Sequence, residues 1–299
     1  MPVKVKCEVD MDPNLQESIS FSEQTLGKIR YFIAVAAGKG GVGKSSVSVN
    51  LALVLQNMGY NVGVLDADIY GPSLAKMLPP KILPRVDPDC FENLLPAQSH
   101  GLQTMSISYL REENEAMIVR APIANGVIIQ FLKQVSWGEL DYLIVDFPPG
   151  TGDVQLTLMQ SLPFSGALLV TTPQDLALID VRKAAHMFHQ MGIPILGVIE
   201  NMSYFEEPST KLRHYIFGSG GGKRLSDLFG APFLGEIPLD PSVCSCGDQG
   251  LSLLATCPES SALDAYKNIA KGVRDILFDM ESCEGNYLKR FELIWQEKE

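Results

Sequence analysis

A glycine-rich segment with two lysines is the part of this sequence whose residue types and spacing best suit chemistry. Residues Gly38 to Ser45 follow the pattern Gly-x-x-x-x-Gly-Lys-Ser, directly after the apolar run Tyr31 to Ala37 and ahead of a helical pattern. Glycines there let backbone N–H groups converge on phosphate oxygens, and the N-terminus of the following helix adds partial positive charge. We therefore predict a nucleotide phosphate site, in which Lys44 reaches the β and γ phosphates and Ser45 ligates Mg²⁺.

Carboxylates follow two other apolar runs. Asp66 and Asp68 come at the end of the run that starts at Val62, and Asp146 ends the run Tyr142 to Val145. The carboxyl ends of parallel strands are where ligands bind in sheets of this kind. Asp146 is therefore predicted to hold magnesium, through its water shell.

Lys39 is a second lysine in the glycine-rich loop, in addition to Lys44. A lysine directly after the first glycine resembles the deviant Walker A loop of the family that includes MinD, ParA, nitrogenase iron protein and the Mrp/ApbC proteins. In that family this lysine reaches the nucleotide of the partner subunit, so the resemblance implies an ATPase that forms a homodimer. It also implies that Asp68 positions or activates the attacking water, and that Asp66 supports the metal and the loop serine. Asn201 is similar to the family's adenine-recognising asparagine, which favours ATP over GTP.

These predictions define a complete nucleotide site. The predicted catalytic residues are Lys39, Lys44 and Asp68. The predicted nucleotide-binding residues are Gly38, Lys39, Gly40, Gly41, Val42, Gly43, Lys44, Ser45, Ser46 and Asn201. The predicted magnesium-binding residues are Ser45, Asp66 and Asp146.

Longer stretches are similar specifically to the Mrp/ApbC iron–sulfur carriers, and the resemblance covers the chain roughly from Ile29 to Leu254. The stretches that carry it are Asp66 to Ser73, Trp137 to Tyr142, Asp146 to Asp153, Glu200 to Phe205 and Gly235 to Pro241. The resemblance implies a role in iron–sulfur cluster assembly or transfer. Its expected partners are a second copy of the chain and apoprotein clients or iron–sulfur assembly proteins.

The cysteines depart from that family's pattern. Family members carry a Cys-Pro-x-Cys pair shortly after Asn-Met-Ser-Tyr-Phe, and two such pairs bridge one [4Fe–4S] cluster in the dimer. The segment Glu206 to Thr210 stands at that place here and contains no cysteine. Cys244 and Cys246, in a predicted loop after Pro241, could supply four thiolates across a dimer. The alternative is that they are thiols without a metal.

A nucleotide switch without a cluster, of the MinD/ParA kind, is therefore the second hypothesis. It would position or regulate a protein or membrane partner. The C-terminal tail gathers apolar side chains on one side of a helical wheel, as a membrane-touching helix does. These residues are Tyr287, Leu288, Phe291, Ile294 and Trp295. Glutamates in the same tail offset its basic residues, so docking on the domain or on a protein partner is favoured over a membrane.

The elements that position these side chains follow from short, continuously apolar runs separated by helical stretches. Such runs are typical of strands covered on both faces, so we predict an α/β fold in three layers, a P-loop NTPase fold whose mostly parallel sheet is flanked by helices. The predicted strands after the first are 62–65, 142–145, 167–170, 195–199 and 233–237, and the predicted helices include 46–58, 124–135, 179–191 and one that starts at Ser260 or Ser261. We place an N-terminal extension at 1–28, the ATPase domain at 29–280 and a C-terminal tail, which could form an amphipathic helix, at 281–299.

Composition narrows the classes of function. The chain has 299 residues, a formal net charge of −11 and a sequence pI near 4.9, so nucleic acid is an unfavourable partner. Its six cysteines are too few and too scattered for a disulfide scaffold. Apolar runs are too short for a membrane span, and the N-terminus lacks an export signal. We expect a soluble, cytoplasmic protein with reduced thiols.

Overall fold

The structure, a computed structural model, describes residues 28–110 and 121–282, with the backbone alone for 121–125. Its strands are β1 Ile29–Ala37, β2 Val62–Asp66, β3 Arg85–Val86, β4 Leu94–Leu95, β5 Ala97–Ser99, β6 Leu102–Met105, β7 Leu140–Asp146, β8 Gly166–Thr171, β9 Ile195–Glu200, β10 Phe205–Glu206, β11 Arg213–His214 and β12 Phe233–Glu236. Its α-helices are α1 Lys44–Asn57, α2 Leu74–Met77, α3 Ala121–Gln134, α4 Asp153–Ser161, α5 Asp175–Gln190, α6 Gly221–Phe229, α7 Pro241–Gln249, α8 Leu253–Thr256 and α9 Ser261–Ser282.

One eight-stranded sheet organises the described part of the chain, in the order β12-β9-β8-β1-β7-β2-β6-β5. Its pairings are parallel except for β5, which runs antiparallel to β6 at the edge. The predicted mostly parallel sheet is thus confirmed. The β5–β6 edge was not predicted, because both strands are short and polar residues interrupt them.

The central strand β1 is buried on both faces of the sheet, as its continuous apolar run predicts. Phe32, Ala34 and Ala36 pack into the core on one face, whereas Ile33 and Val35 pack into the core on the other. Helices cover both faces, which gives the three predicted layers. The described residues contain no helix long and apolar enough to cross a membrane.

The predicted strands and helices that fall within residues 28–110 and 121–282 all occur, most with bounds that differ by a few residues. Helix α9 starts at Ser261, as predicted, and continues just past residue 280. It buries an apolar stripe that includes Leu263, Tyr266 and Ile269 against the core. The predicted N-terminal extension, apart from Lys28, and the apolar face of the C-terminal tail lie outside the described residues. The proposed domain boundaries therefore stay predictions.

The predicted loop after Pro241 is wrong, because residues 241–249 form helix α7. Asp240 is its N-cap and accepts a hydrogen bond from the Ser242 backbone N–H at 2.8 Å, while Pro241 occupies the first turn. Gly250 ends the helix with a left-handed φ of 65°. Capping signals were therefore present in the sequence, and the absence of an apolar periodicity concealed them.

Candidate nucleotide site

The glycine-rich loop connects β1 to α1 in the way its spacing predicts. Gly41 and Gly43 have φ angles of 81° and 79°, which L-residues with a side chain rarely adopt. Gly38 is required for a different reason: an added Cβ would lie 2.2 Å from the backbone of Asp180 and Val181 in α5. Two glycines thus shape the loop, and a third lets the loop pack directly on α5.

Lys44 and Asp146 form an almost fully buried ion pair at the base of the loop. Lys44 Nζ lies 2.7 Å from Asp146 Oδ1. The Ser45 hydroxyl donates to the other carboxylate oxygen at 2.6 Å, and the Ser48 hydroxyl donates to Oδ1, also at 2.6 Å. The structure thus brings three of the predicted residues together. Ser48 was missed, although it lies one helical turn after Lys44 and so shares its face of α1.

Asp66 lies beside Asp146, because the two residues are register partners at the carboxyl ends of β2 and β7. Its carboxylate accepts hydrogen bonds from the backbone N–H groups of Asp68 at 3.1 Å and Leu74 at 3.3 Å, and from the Ser106 hydroxyl at 3.0 Å. Burial, with the adjacent charge of Asp146, raises the pKa of Asp66 well above its usual range. Asp66 therefore anchors the segment that carries Asp68.

Asp68 and Lys39 stand at the more open part of the site. The Asp68 carboxylate is partly exposed and accepts a hydrogen bond from the Gly71 backbone N–H at 3.0 Å. Lys39 Nζ donates to the side-chain oxygen of Gln174 at 3.5 Å, in an exposed contact. Both side chains are thus available to groups outside the loop, and their catalytic roles stay predictions.

Asn201 packs against the phosphate loop. It is buried, and its side-chain amide donates to the Val42 carbonyl oxygen at 2.8 Å. An added Cβ at Gly43 would lie 2.2 Å from the Asn201 amide nitrogen, so a glycine there makes room for the asparagine. The structure places Asn201 at the predicted site as a brace of the loop. Its recognition of adenine stays a prediction.

The neighbouring Glu200 fills a second glycine-rich turn. This turn is the segment Gly218 to Gly222, which leads into α6. The fully buried Glu200 carboxylate accepts hydrogen bonds from the Gly222 backbone N–H and from the Ser203 hydroxyl, both at 2.6 Å. A carboxylate of the chain itself therefore occupies the first turn of α6.

Replacing Glu200 with alanine is expected to lower the free energy of unfolding by about 3 kcal/mol, because two buried donors lose their acceptor. Urea denaturation measures this change. Glu139→Ala is the matched control, because Glu139 is exposed and its ion-pair partner Lys28, at 3.6 Å, is exposed as well. Its removal is expected to lower the free energy of unfolding by less than about 1 kcal/mol. Equal effects of the two substitutions would contradict this account of Glu200.

The two candidate cluster ligands do not face a common point. Cys244 is exposed and Cys246 is buried, and residues two apart on a helix point in different directions. The expectation that they form one pair of ligands in a loop is therefore wrong. In helix α7 the two thiols are separate. Among the described residues, no group of three or more His, Cys, Asp or Glu side chains could hold a metal ion.

A hairpin occupies the place where the resembling family carries its cysteine pair. Strands β10 and β11 pair there, and Glu206 lies 3.5 Å from Lys211 and 3.8 Å from Arg213. At the tip, Glu207 accepts hydrogen bonds from Ser209 and Thr210. Ion pairs and hydrogen bonds therefore close this loop without a thiol.

A family model described as ParA: NUBPL iron-transfer P-loop NTPase matches residues 28–274. Three similar proteins, each named iron–sulfur cluster carrier protein, match most of the chain. The protein of Synechocystis sp. is 45% identical over 274 residues, with 90% of this chain and 77% of the relative covered. The Aquifex aeolicus protein is 44% identical, with 86% and 71% covered, and the Escherichia coli K12 protein is 44% identical, with 84% and 68% covered.

Solved structures give the same fold. A nucleotide-binding protein from Archaeoglobus fulgidus, in complex with ADP, is 41% identical with a TM-score of 0.66, over 76% of this chain and 89% of that one. The cell division ATPase MinD of Pyrococcus furiosus has a TM-score of 0.60 over 82% of this chain and 99% of that one. At 22% identity, the second likeness concerns the fold alone.

Proposed function

The chain belongs to the family described as NUBPL iron-transfer P-loop NTPases, and we propose that it is a homodimeric ATPase that acts in iron–sulfur cluster assembly or transfer. The observation that carries the ATPase proposal is the meeting of Lys44, Ser45 and Asp146 beneath a glycine-rich loop. The ADP complex of the Archaeoglobus relative supports nucleotide binding. The names of the bacterial relatives support the cluster as cargo.

Nucleotide binding would rearrange the buried ion pair. The loop N–H groups and the α1 N-terminus receive the phosphates, and Lys44 turns from Asp146 toward the β and γ oxygens. Ser45 Oγ and an Asp146 carboxylate oxygen lie 2.6 Å apart. Both are hard oxygen ligands of the kind that magnesium prefers, so these residues fit the metal. Magnesium held there would neutralise charge on the phosphate oxygens.

The remaining predicted residues have separate tasks in hydrolysis. Asp68 orients the attacking water, and Asp66 holds the Asp68 segment through two backbone hydrogen bonds. Lys39 would contact the phosphates of a second copy, a role that the family resemblance implies and that its exposed contact with Gln174 permits. Phosphoryl transfer depends mainly on alignment and charge neutralisation, which two lysines, a metal and a carboxylate can provide.

A second candidate is a nucleotide switch of the MinD/ParA kind that carries no cluster and regulates a protein or membrane partner. The hairpin Phe205 to His214 favours it, because ion pairs stand there in place of the family's cysteines. The separation of Cys244 from Cys246 favours it as well. Both candidates require the same ATP site, and they differ in whether the dimer binds iron.

Anaerobic reconstitution with iron and sulfide separates the two candidates. For a cluster carrier we expect thiolate-to-iron absorbance and bound iron and sulfide. We expect Cys244→Ser to lower the bound iron, because Cys244 is the exposed member of the predicted pair. Cys90→Ser, which removes another exposed thiol, is the control expected to retain it.

Each outcome has a definite meaning. Wild-type protein that binds no iron would favour the switch over the carrier. An iron content unchanged by Cys244→Ser would overturn the assignment of Cys244 as a ligand while leaving the carrier proposal in place.

A further inference from the structure

A cavity of about 270 Å³ opens at the end of the sheet opposite the nucleotide site, where β2, β6 and β7 begin and α1 ends. Gln56, Asn61 and Gln103 contribute carboxamides to its lining, and Tyr60 and Leu140 contribute apolar surface. The described residues that line it include no charged side chain. Small-molecule sites usually measure about 300–1,000 Å³. This cavity is smaller, so it suits a single large side chain with a polar tip better than a cofactor.

The last turn of helix α9 lies at the same end of the sheet. Glu281 accepts hydrogen bonds from Arg30 Nε at 3.2 Å and from Arg30 Nη2 at 2.7 Å, at the start of β1. The Arg30 guanidinium lies 5.0 Å from the centre of the Tyr31 ring. Tyr31 stacks on Tyr142 at 5.3 Å, and Tyr142 meets Tyr60 edge-on at 5.1 Å. These contacts place Tyr60 within roughly 20 Å of the end of α9, a distance that about six extended residues span.

The chain that follows α9 carries an aromatic residue at that distance. The segment 283–299 follows Ser282, and its first large apolar residues are Tyr287 and Leu288. Lys289 and Arg290 come directly after them. A tyrosine combines an apolar ring with a hydroxyl that needs a hydrogen-bond partner when it is buried. The carboxamides and apolar surface of the cavity match both parts of that side chain.

The rim of the cavity is acidic beside Leu140. Glu139 and Asp141 flank Leu140 in sequence, and Lys28 lies 3.6 Å from Glu139. Asp141 is partly exposed and accepts a hydrogen bond from the Asn61 backbone N–H at 2.8 Å. The single described lysine therefore leaves a net negative charge at this rim.

That charge favours the C-terminal segment over the N-terminal extension, which also begins at this end of the sheet. Lys289 and Arg290 complement the acidic rim. Residues 7–27, in contrast, contain five Asp and Glu and no Lys or Arg, so they would meet like charge there.

We propose that the C-terminal segment 283–299 docks on its own domain and places the Tyr287 side chain in this cavity. The Tyr287 hydroxyl bonds to the carboxamides of the lining, and Lys289 and Arg290 lie along the rim beside Glu139 and Asp141. This docking surface is independent of the function proposed above, because it lies at the other end of the sheet from the phosphate loop.

Trypsin cleavage of the full chain after Lys289 and Arg290 tests the proposal, because a docked segment is cleaved only when it opens. The protein is digested under native conditions, and release of the C-terminal peptides is followed by mass spectrometry. We expect Tyr287→Ala to be cleaved there about 10-fold faster than the wild type, since it loses a buried ring. Tyr287→Phe keeps the ring and is expected to show a smaller increase.

Variants of the cavity locate the docking site. Gln103→Trp fills the cavity and is expected to speed cleavage as much as Tyr287→Ala does. Asn61→Phe, at an exposed position of the lining, is a second variant with the same expected result. Gln98→Trp is the matched control, because Gln98 is the exposed register partner of Gln103 on β5 and lies outside the lining. It should be cleaved at the wild-type rate, and thermal unfolding shows which variants are folded.

Several outcomes would overturn the proposal. Wild-type protein cleaved as fast as Tyr287→Ala would show that the segment is not docked through that side chain. Wild-type rates in folded Gln103→Trp and Asn61→Phe would place the segment outside the cavity. A wild-type rate that falls as the protein concentration rises would place it on a second copy. Protection that appears only with vesicles of phosphatidylserine and phosphatidylcholine would assign it to a membrane.

Discussion

Replacing Lys44 with alanine is expected to reduce ATP turnover by about 100-fold or more, the usual loss when one preorganised charge on the transition state is removed. In this chain the substitution has a second effect. It leaves the buried Asp146 carboxylate with serine hydroxyls as its remaining described partners. Phosphate release under saturating ATP measures the loss, and a binding titration shows how much of it comes from weaker nucleotide affinity.

Lys183→Ala is the matched control for Lys44→Ala. Lys183 is an exposed lysine of α5 that pairs with Asp180 at 3.2 Å, and its removal is expected to leave turnover unchanged. Thermal unfolding of both variants separates loss of activity from loss of folding. A folded Lys44→Ala protein with wild-type turnover would contradict the phosphate site placed at Gly38 to Ser45.

Replacing Asp68 with asparagine is expected to lower turnover by about 100-fold while nucleotide binding is retained. Asparagine keeps an oxygen that can accept the hydrogen bond from the Gly71 N–H, so the loop should keep its shape. It removes the negative charge that would orient and activate the attacking water. Phosphate release and nucleotide titration on the same preparation give the two quantities.

The control for Asp68→Asn is Asp264→Asn, in the exposed first turn of α9, where Asp264 pairs with Lys267 at 3.1 Å. It should hydrolyse ATP at the wild-type rate. Loss of nucleotide binding in Asp68→Asn would assign Asp68 to binding. A wild-type rate would remove it from the reaction altogether.

The hairpin Phe205 to His214 contains no cysteine, which limits where this chain could bind an iron–sulfur cluster. The relatives' names indicate a cluster carrier, but the hairpin that follows Phe205 has an ion-paired stem, with Glu206 between Lys211 and Arg213. A cluster bound by this chain would therefore need thiolates from elsewhere in the sequence. Among the described cysteines, Cys90 and Cys244 are the exposed ones.

The sequence by itself determined the phosphate loop and the central strands. Gly38 to Ser45 could be recognised because a phosphate loop needs glycines, a lysine and a serine at fixed spacing, and that spacing is local. The same holds for β1 and β7, whose continuous apolar runs reflect burial on both faces of a sheet. The three layers and the mostly parallel sheet followed from the resemblance as much as from the pattern, whereas the order of the strands was not predicted.

Only the tertiary structure decided which distant side chains meet. Ser106 bonds to Asp66 because it follows β6, the neighbour of β2, and no local spacing encodes that order. Ser48 bonds to Asp146 because α1 packs against β7, and Glu200 occupies the α6 turn because α6 packs beside β9. The cysteines show it most directly: Cys244 and Cys246, the nearest pair in sequence, are split between the surface and the core by helix α7. Spacing along the chain determines local geometry, whereas burial and contact depend on how the elements pack.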